Sequence, residues 1–140
     1  MTDKEKKLLI NKAIEARKFS YCPYSDYQVG AALLTESGKI YTGCNIENAA
    51  FTPGICAERT AVYKAVSEGE RKFTAISIAG GPKNEAVTDY SYPCGVCRQV
   101  MEEFVNPEDF LILVGKTEED IKEFTLKELL PFGFGPSNLE

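Results

Sequence analysis

Histidine is absent from all 140 residues. Any transition-metal site in this chain must therefore be built from cysteine, carboxylate, carbonyl oxygen or water. Also missing is any apolar run near the roughly 20 residues that a membrane-crossing helix needs. The opening Met-Thr-Asp-Lys-Glu-Lys-Lys has no apolar stretch behind it of the kind a secretory leader carries. Both absences point to a cytoplasmic protein with no membrane partner. Blocks of five like charges are lacking too, and 21 acidic against 16 basic residues give a formal charge of −5. Nucleic-acid binders draw much of their affinity from a basic face that neutralises phosphate, so this balance argues against a nucleic-acid partner. Five cysteines, an odd number in a cytoplasmic chain, argue against a disulfide framework.

What is present describes a soluble globular protein, with 44% hydrophobic and 26% charged residues. The length suits one domain over residues 1–140 with a core of its own. Thr2-Asp3-Lys4-Glu5 fits a capping box, and apolar residues at helical spacing follow to about Phe19. Pro23 and Ser25 mark a loop. Gln28–Thr35 and Lys39–Asn45 read as two strands joined by Glu36-Ser37-Gly38. A polar loop leads to a helix from near Cys56 to about Glu68, with Gly69 as its C-terminal cap. Lys72–Ala79 reads as a third strand and Gly80–Tyr92 as a long loop. A helix from Cys94 to about Phe104 follows, then a buried strand over Phe110–Val114. Thr125-Leu126-Lys127-Glu128 is a second capping box, opening a short helix that Pro131 stops. This order predicts an α/β layered sandwich around one mixed sheet.

The chemistry concentrates in two short stretches, Cys56-Ala57-Glu58-Arg59 and Pro93-Cys94-Gly95-Val96-Cys97, whose cysteines leave 37 residues between Cys56 and Cys94. Cys94 and Cys97, three apart, can share one face of a helical turn. Three thiolates on a zinc ion leave its fourth tetrahedral position open, as in catalytic rather than structural sites. Both stretches begin predicted helices, whose N-terminal N–H groups and dipoles stabilise thiolates. Three thiolates still leave a formal excess of negative charge, and Arg59 and Arg98 are candidates to offset it by donating to sulfur. Glu58, two residues after Cys56, is a candidate proton carrier. C-x-E followed by P-C-x-x-C is the zinc deaminase signature in its three-cysteine form.

Three linked segments carry a closer likeness: Gly43-Cys44-Asn45-Ile46-Glu47-Asn48-Ala49, Gly54-Ile55-Cys56-Ala57-Glu58-Arg59-Thr60-Ala61, and Pro93-Cys94-Gly95-Val96-Cys97-Arg98-Gln99-Val100. In this order they resemble the small homotetrameric zinc-dependent cytidine deaminases, from about Lys12 to Leu139. The resemblance implies a three-layer α/β/α sandwich with one mixed five-stranded sheet. It implies one zinc ion per chain on Cys56, Cys94 and Cys97. The implied reaction is hydrolytic deamination of cytidine and deoxycytidine in pyrimidine salvage, by zinc-activated hydroxide with Glu58 as proton shuttle.

The resemblance also assigns Arg59 a supporting place beside the metal cysteines, and Asn45 and Glu47 the ribose. Alternation at the end of a strand is consistent with those two sharing a face. Tyr27 stands where the family usually has phenylalanine beside the base, and Tyr92 where it commonly has serine. The backbone N–H of Ala57, at a helix start, is a candidate donor to the base carbonyl oxygen. In the family a phenylalanine from the tail enters a neighbouring subunit's site; Phe134 matches that position best and Phe132 second, while Phe51 matches an aromatic near the subunit boundary. A homotetramer with shared active sites is the implied assembly.

Alternatives remain at this point. A blasticidin-type nucleoside-antibiotic deaminase shares the zinc motifs, and a polynucleotide deaminase is disfavoured by the acidity. A non-catalytic zinc-stabilised interaction module would complete the metal with a fourth ligand from Cys22 or Cys44.

Overall fold

The computed structural model describes residues 1–140. Helix α1 (Asp3–Ala16) begins at the Thr2 capping box, with Thr2 and Glu5 bonded reciprocally, and ends in a 3-10 turn over Arg17–Phe19. Strands β1 (Tyr27–Thr35) and β2 (Ile40–Cys44) form the predicted hairpin. Then come α2 (Ala57–Ser67), β3 (Phe73–Pro82), α3 (Gly95–Phe104), β4 (Leu111–Thr117), β5 (Asp120–Thr125) and a single helical turn, α4 (Leu126–Leu129). No helix is long and apolar enough to cross a membrane.

The sheet runs β2-β1-β3-β4-β5. Only β3 and β4 pair in parallel, connected through α3; the other neighbours are antiparallel. Alternation along the central strands feeds two cores. Ala32, Ala75, Ala79 and Leu113 meet Leu9, Ile10 and Ala13 of α1 on one face. Ala31, Leu33, Ile76, Ile78, Ile112 and Val114 meet α2, α3 and α4 on the other. A strand side-chain period of two lets one sheet serve both faces. The three-layer mixed sandwich with five strands is therefore present as expected.

Two stretches depart from the residue-by-residue reading. β3 continues three residues beyond Ala79, because Gly80, Gly81 and Pro82 pair with Val29, Gln28 and Tyr27. β5 is a strand that periodicity did not mark. It lies at the sheet edge and carries Asp120, Lys122 and Glu123, so charge masks its alternation; such charge also keeps an exposed edge from pairing with other chains.

The close seat of α2 on the hairpin positions the site. At Gly43, an added Cβ would lie 2.4 Å from the Ala57 carbonyl oxygen and 2.6 Å from the Ala61 nitrogen. Only glycine allows that approach, which sets the first turn of α2 against β2.

Candidate active site

Cys56 and Cys94 occupy equivalent places. Each is the N-cap of its helix, extended in backbone, with no side-chain capping bond of its own. Their sulfurs thus stand at the positive ends of α2 and α3. Cys97, one turn into α3, is fully buried. The three sulfurs lie within 4.8 Å of one another, and Cys56 Sγ is 3.7 Å from Cys94 Sγ. Two sulfurs of a tetrahedral zinc site, each about 2.3 Å from the ion, are about 3.8 Å apart. The donor set therefore fits one zinc ion. Cys22 and Cys44 are free thiols outside this cluster, so neither supplies the fourth ligand of a structural site.

The electrostatics favour thiolate at Cys56. Hydrogen bonding from Cys97 is the main cause that holds the Cys56 thiol down at about 5; donation from Arg59 adds to it. Cys97 retains the proton in that pair and is pushed upward. Arg59 Nη2 donates to Cys56 Sγ at 3.4 Å, and its Nε is buried without a partner. Arg98 does not do what sequence spacing suggested. Its guanidinium donates to the Pro93 carbonyl at 2.7 Å and the Leu129 carbonyl at 2.6 Å. It ties the segment entering α3 to the end of α4, whose carbonyls lack intrahelical partners.

Glu58 is 4% exposed, in the first turn of α2. Burial pushes its carboxyl up to about 7, and the neighbouring Cys56 charge adds to the shift. It faces a cavity of about 950 Å³ that also reaches Cys56, Cys94, Arg59 and Ala57. The walls also include Tyr27, Asn45 and Glu47. Asn45, Glu47 and the Cys56 and Cys94 end of the sulfur cluster thus open onto one space.

β2 stops at Cys44, and Asn45 and Glu47 flank Ile46, which bridges to Tyr21 and Ile55. Asn45 is tied to the start of β1 and Glu47 to the segment that enters it. Asn45 Nδ2 donates to the Tyr27 carbonyl at 2.8 Å, while its Oδ1 accepts from the Val29 N–H at 2.9 Å. Glu47 accepts from the N–H groups of Tyr24 and Ser25 and from the Ser25 hydroxyl. Ser25 was legible only as a loop marker, yet it sits on the cavity wall. Tyr90 is a second wall residue that the sequence left in an unassigned loop. Its hydroxyl donates to Asp120, and the ammonium groups of Lys116 and Lys122 lie 4.6 and 4.2 Å from its ring centroid. The β4–β5 hairpin thereby braces the Tyr90 part of the wall.

Phe134 does not line the cavity of its own chain. It is 57% exposed, and its carbonyl accepts from Gln99 Nε2 at 2.7 Å. Phe51 lines the cavity and, like Phe132, is fully exposed.

Residues 3–113 match the family model for the cytidine and deoxycytidylate deaminase zinc-binding region. A cytidine deaminase of Halalkalibacterium halodurans is 46% identical over 130 residues, covering 93% of this chain and 94% of that protein. A probable cytidine deaminase of Dictyostelium discoideum is 40% identical over 139 residues, covering 99% and 90%. The crystal structure of cytidine deaminase from Burkholderia pseudomallei superposes with a TM-score of 0.82 at 39% identity, covering 96% of this chain and all of that one. With three sulfurs spaced for zinc and the family match spanning most of the fold, the chain belongs to the zinc-binding cytidine and deoxycytidylate deaminases.

Proposed function

We propose that this chain is a zinc-dependent hydrolase that deaminates cytidine and deoxycytidine to uridine and deoxyuridine, releasing ammonia. The observation that carries this reading is the buried Glu58 carboxyl facing the same cavity as Cys56 and Cys94 of the three-cysteine cluster.

Cys56, Cys94 and Cys97 would hold the ion, with Arg59 steadying the Cys56 sulfur. Zinc bound there supplies a Lewis acid that makes water a nucleophile near neutral pH. Glu58 accepts a proton from the water that adds to carbon 4 of the base. It passes that proton to the adjacent ring nitrogen, then carries the next one to the amine, which leaves as ammonia. A carboxyl raised toward neutrality by burial suits both halves of that task. Tyr27 packs on the base, the Ala57 N–H binds its carbonyl oxygen, and Asn45 and Glu47 hold the sugar.

The exposed Phe51, Phe132 and Phe134, gathered in two segments, support a homotetramer with subunit-shared active sites. In it, Phe134 of one chain closes a neighbour's cavity. The unit is one domain over residues 1–140, acting on free nucleosides in cytoplasmic pyrimidine salvage.

Ultraviolet absorbance of cytidine incubated with purified protein tests the reaction. Conversion that stops on chelation and resumes with zinc supports the reading. A chain that binds zinc but releases no ammonia from any cytosine nucleoside overturns it.

A further inference from the structure

Glu47 reaches the cavity with most of its acceptor capacity already engaged. Its Oε1 accepts from the Tyr24 N–H at 2.9 Å and the Ser25 N–H at 3.2 Å. Its Oε2 accepts from Ser25 Oγ at 2.5 Å. An ionised carboxylate offers about four lone-pair positions over its two oxygens. With two occupied on Oε1 and one on Oε2, a single acceptor position remains, on Oε2.

The Ser25 hydroxyl has a second partner. It accepts from the Tyr27 N–H at 3.2 Å, across Asp26, whose φ of +55° closes the turn. The Tyr27 carbonyl accepts from Asn45 Nδ2. One hydroxyl therefore joins the Glu47 carboxylate to the backbone of Tyr27, and Asn45 fixes the other side of the same residue. Without that hydroxyl, Oε2 would have two unassigned lone pairs and no fixed direction.

We propose that Ser25 is a positioning residue that sets sugar selectivity: its hydroxyl leaves Glu47 one oriented acceptor, so the site selects a nucleoside whose sugar hydroxyl donates there. This rests on the cytidine deaminase reading and goes beyond it by naming what orients the sugar contact. The Ser25 hydrogen bond also leads the causes that hold the Glu47 carboxyl below the usual carboxylate range, which keeps it an acceptor.

The test pairs two substrates with two variants. Wild-type protein, Ser25→Ala and Ser25→Thr are assayed on cytidine and on 2′,3′-dideoxycytidine, which has neither sugar hydroxyl for Glu47 to accept. Loss of a hydrogen bond to a charged group is worth about tenfold. Ser25→Ala is expected to lower kcat/KM for cytidine about tenfold more than for the dideoxynucleoside, chiefly through KM. Ser25→Thr, which keeps a hydroxyl, is expected to retain the wild-type preference. Equal losses on both substrates in Ser25→Ala would mean the hydroxyl serves only the fold of the loop, and would overturn the inference. So would a Ser25→Thr variant that folds but discriminates no better than Ser25→Ala. Wild-type protein that converts neither nucleoside overturns the deaminase reading itself, and this inference with it.

Discussion

Arg59 Nη2 donates to the sulfur of Cys56, three residues earlier on the same helix, at 3.4 Å. Cys56 caps α2 and Arg59 lies in its first turn, so helical spacing alone brings the guanidinium over the sulfur. In the proposed zinc site the contact would serve an electrostatic role. Three thiolates on a dication leave one net negative charge, which weakens the metal as an acid. A cation that shares the sulfur lone pairs moderates this without taking a coordination position.

Removing that cation is therefore expected to be felt at the metal. Arg59→Gln should lower zinc affinity about 10- to 100-fold, the usual range for groups that orient a metal ligand. Competition against a chromophoric chelator measures this directly. Wild-type affinity in the variant would show that the helix dipoles alone stabilise the thiolates.

Glu58→Gln preserves volume and keeps a polar group facing the cavity but cannot cycle a proton. Turnover should fall at least about 100-fold, the lower end of what a positioned acid–base group contributes. Metal content and melting temperature should stay near wild type. Residual activity close to wild type would move the proton carrier elsewhere.

The parts of this molecule written in local patterns were legible in the sequence. The two capping boxes form as read, because each needs only four residues. Cys56, Cys94 and Cys97 converge as read, because two of them are one helical turn apart and the third begins a helix. Arg98 shows where local pattern fails. Its offset from a cysteine resembles that of Arg59, but carbonyls of Pro93 and of Leu129, 31 residues onward, claim its donors. No spacing rule encodes that meeting. Ser25 and Tyr90 were missed for the same reason: their partners Glu47 and Asp120 are 22 and 30 residues away. β5 was hidden by its own charges, which suit a sheet edge but blur the period of two.

Removing the metal should cost stability as well as activity. The three sulfurs converge only in the folded chain, so the ion binds the native state in preference to the unfolded one. Dialysis against a strong chelator is expected to abolish turnover and lower the melting temperature. One equivalent of zinc per chain should restore both. A melting curve indifferent to zinc would place the ion outside the folded framework.

One buried carboxyl stands outside the proposed chemistry. Glu102, on α3, is nine-tenths buried, and its Oε2 has no hydrogen-bond partner. It lies under the tail: a Cβ added at Gly133 would sit 3.1 Å from its carboxyl carbon, and one at Gly135 3.0 Å from its Cγ. Burial is the one cause that pushes its pKa upward. For an acid raised in the folded state, the stabilising contribution is complete below the unfolded pKa, about 4.3, where both states are protonated. It is lost as pH rises through the folded value, because the native state must then ionise an unpaired buried group. Glu102→Gln, which has nearly the same volume and never ionises, should therefore melt a few degrees higher than wild type at about pH 8. The gap should close toward about pH 4, where the wild-type carboxyl is largely neutral in both states. Thermal unfolding of both proteins across that range measures it, and a gap of constant size would show that packing, not ionisation, sets the difference.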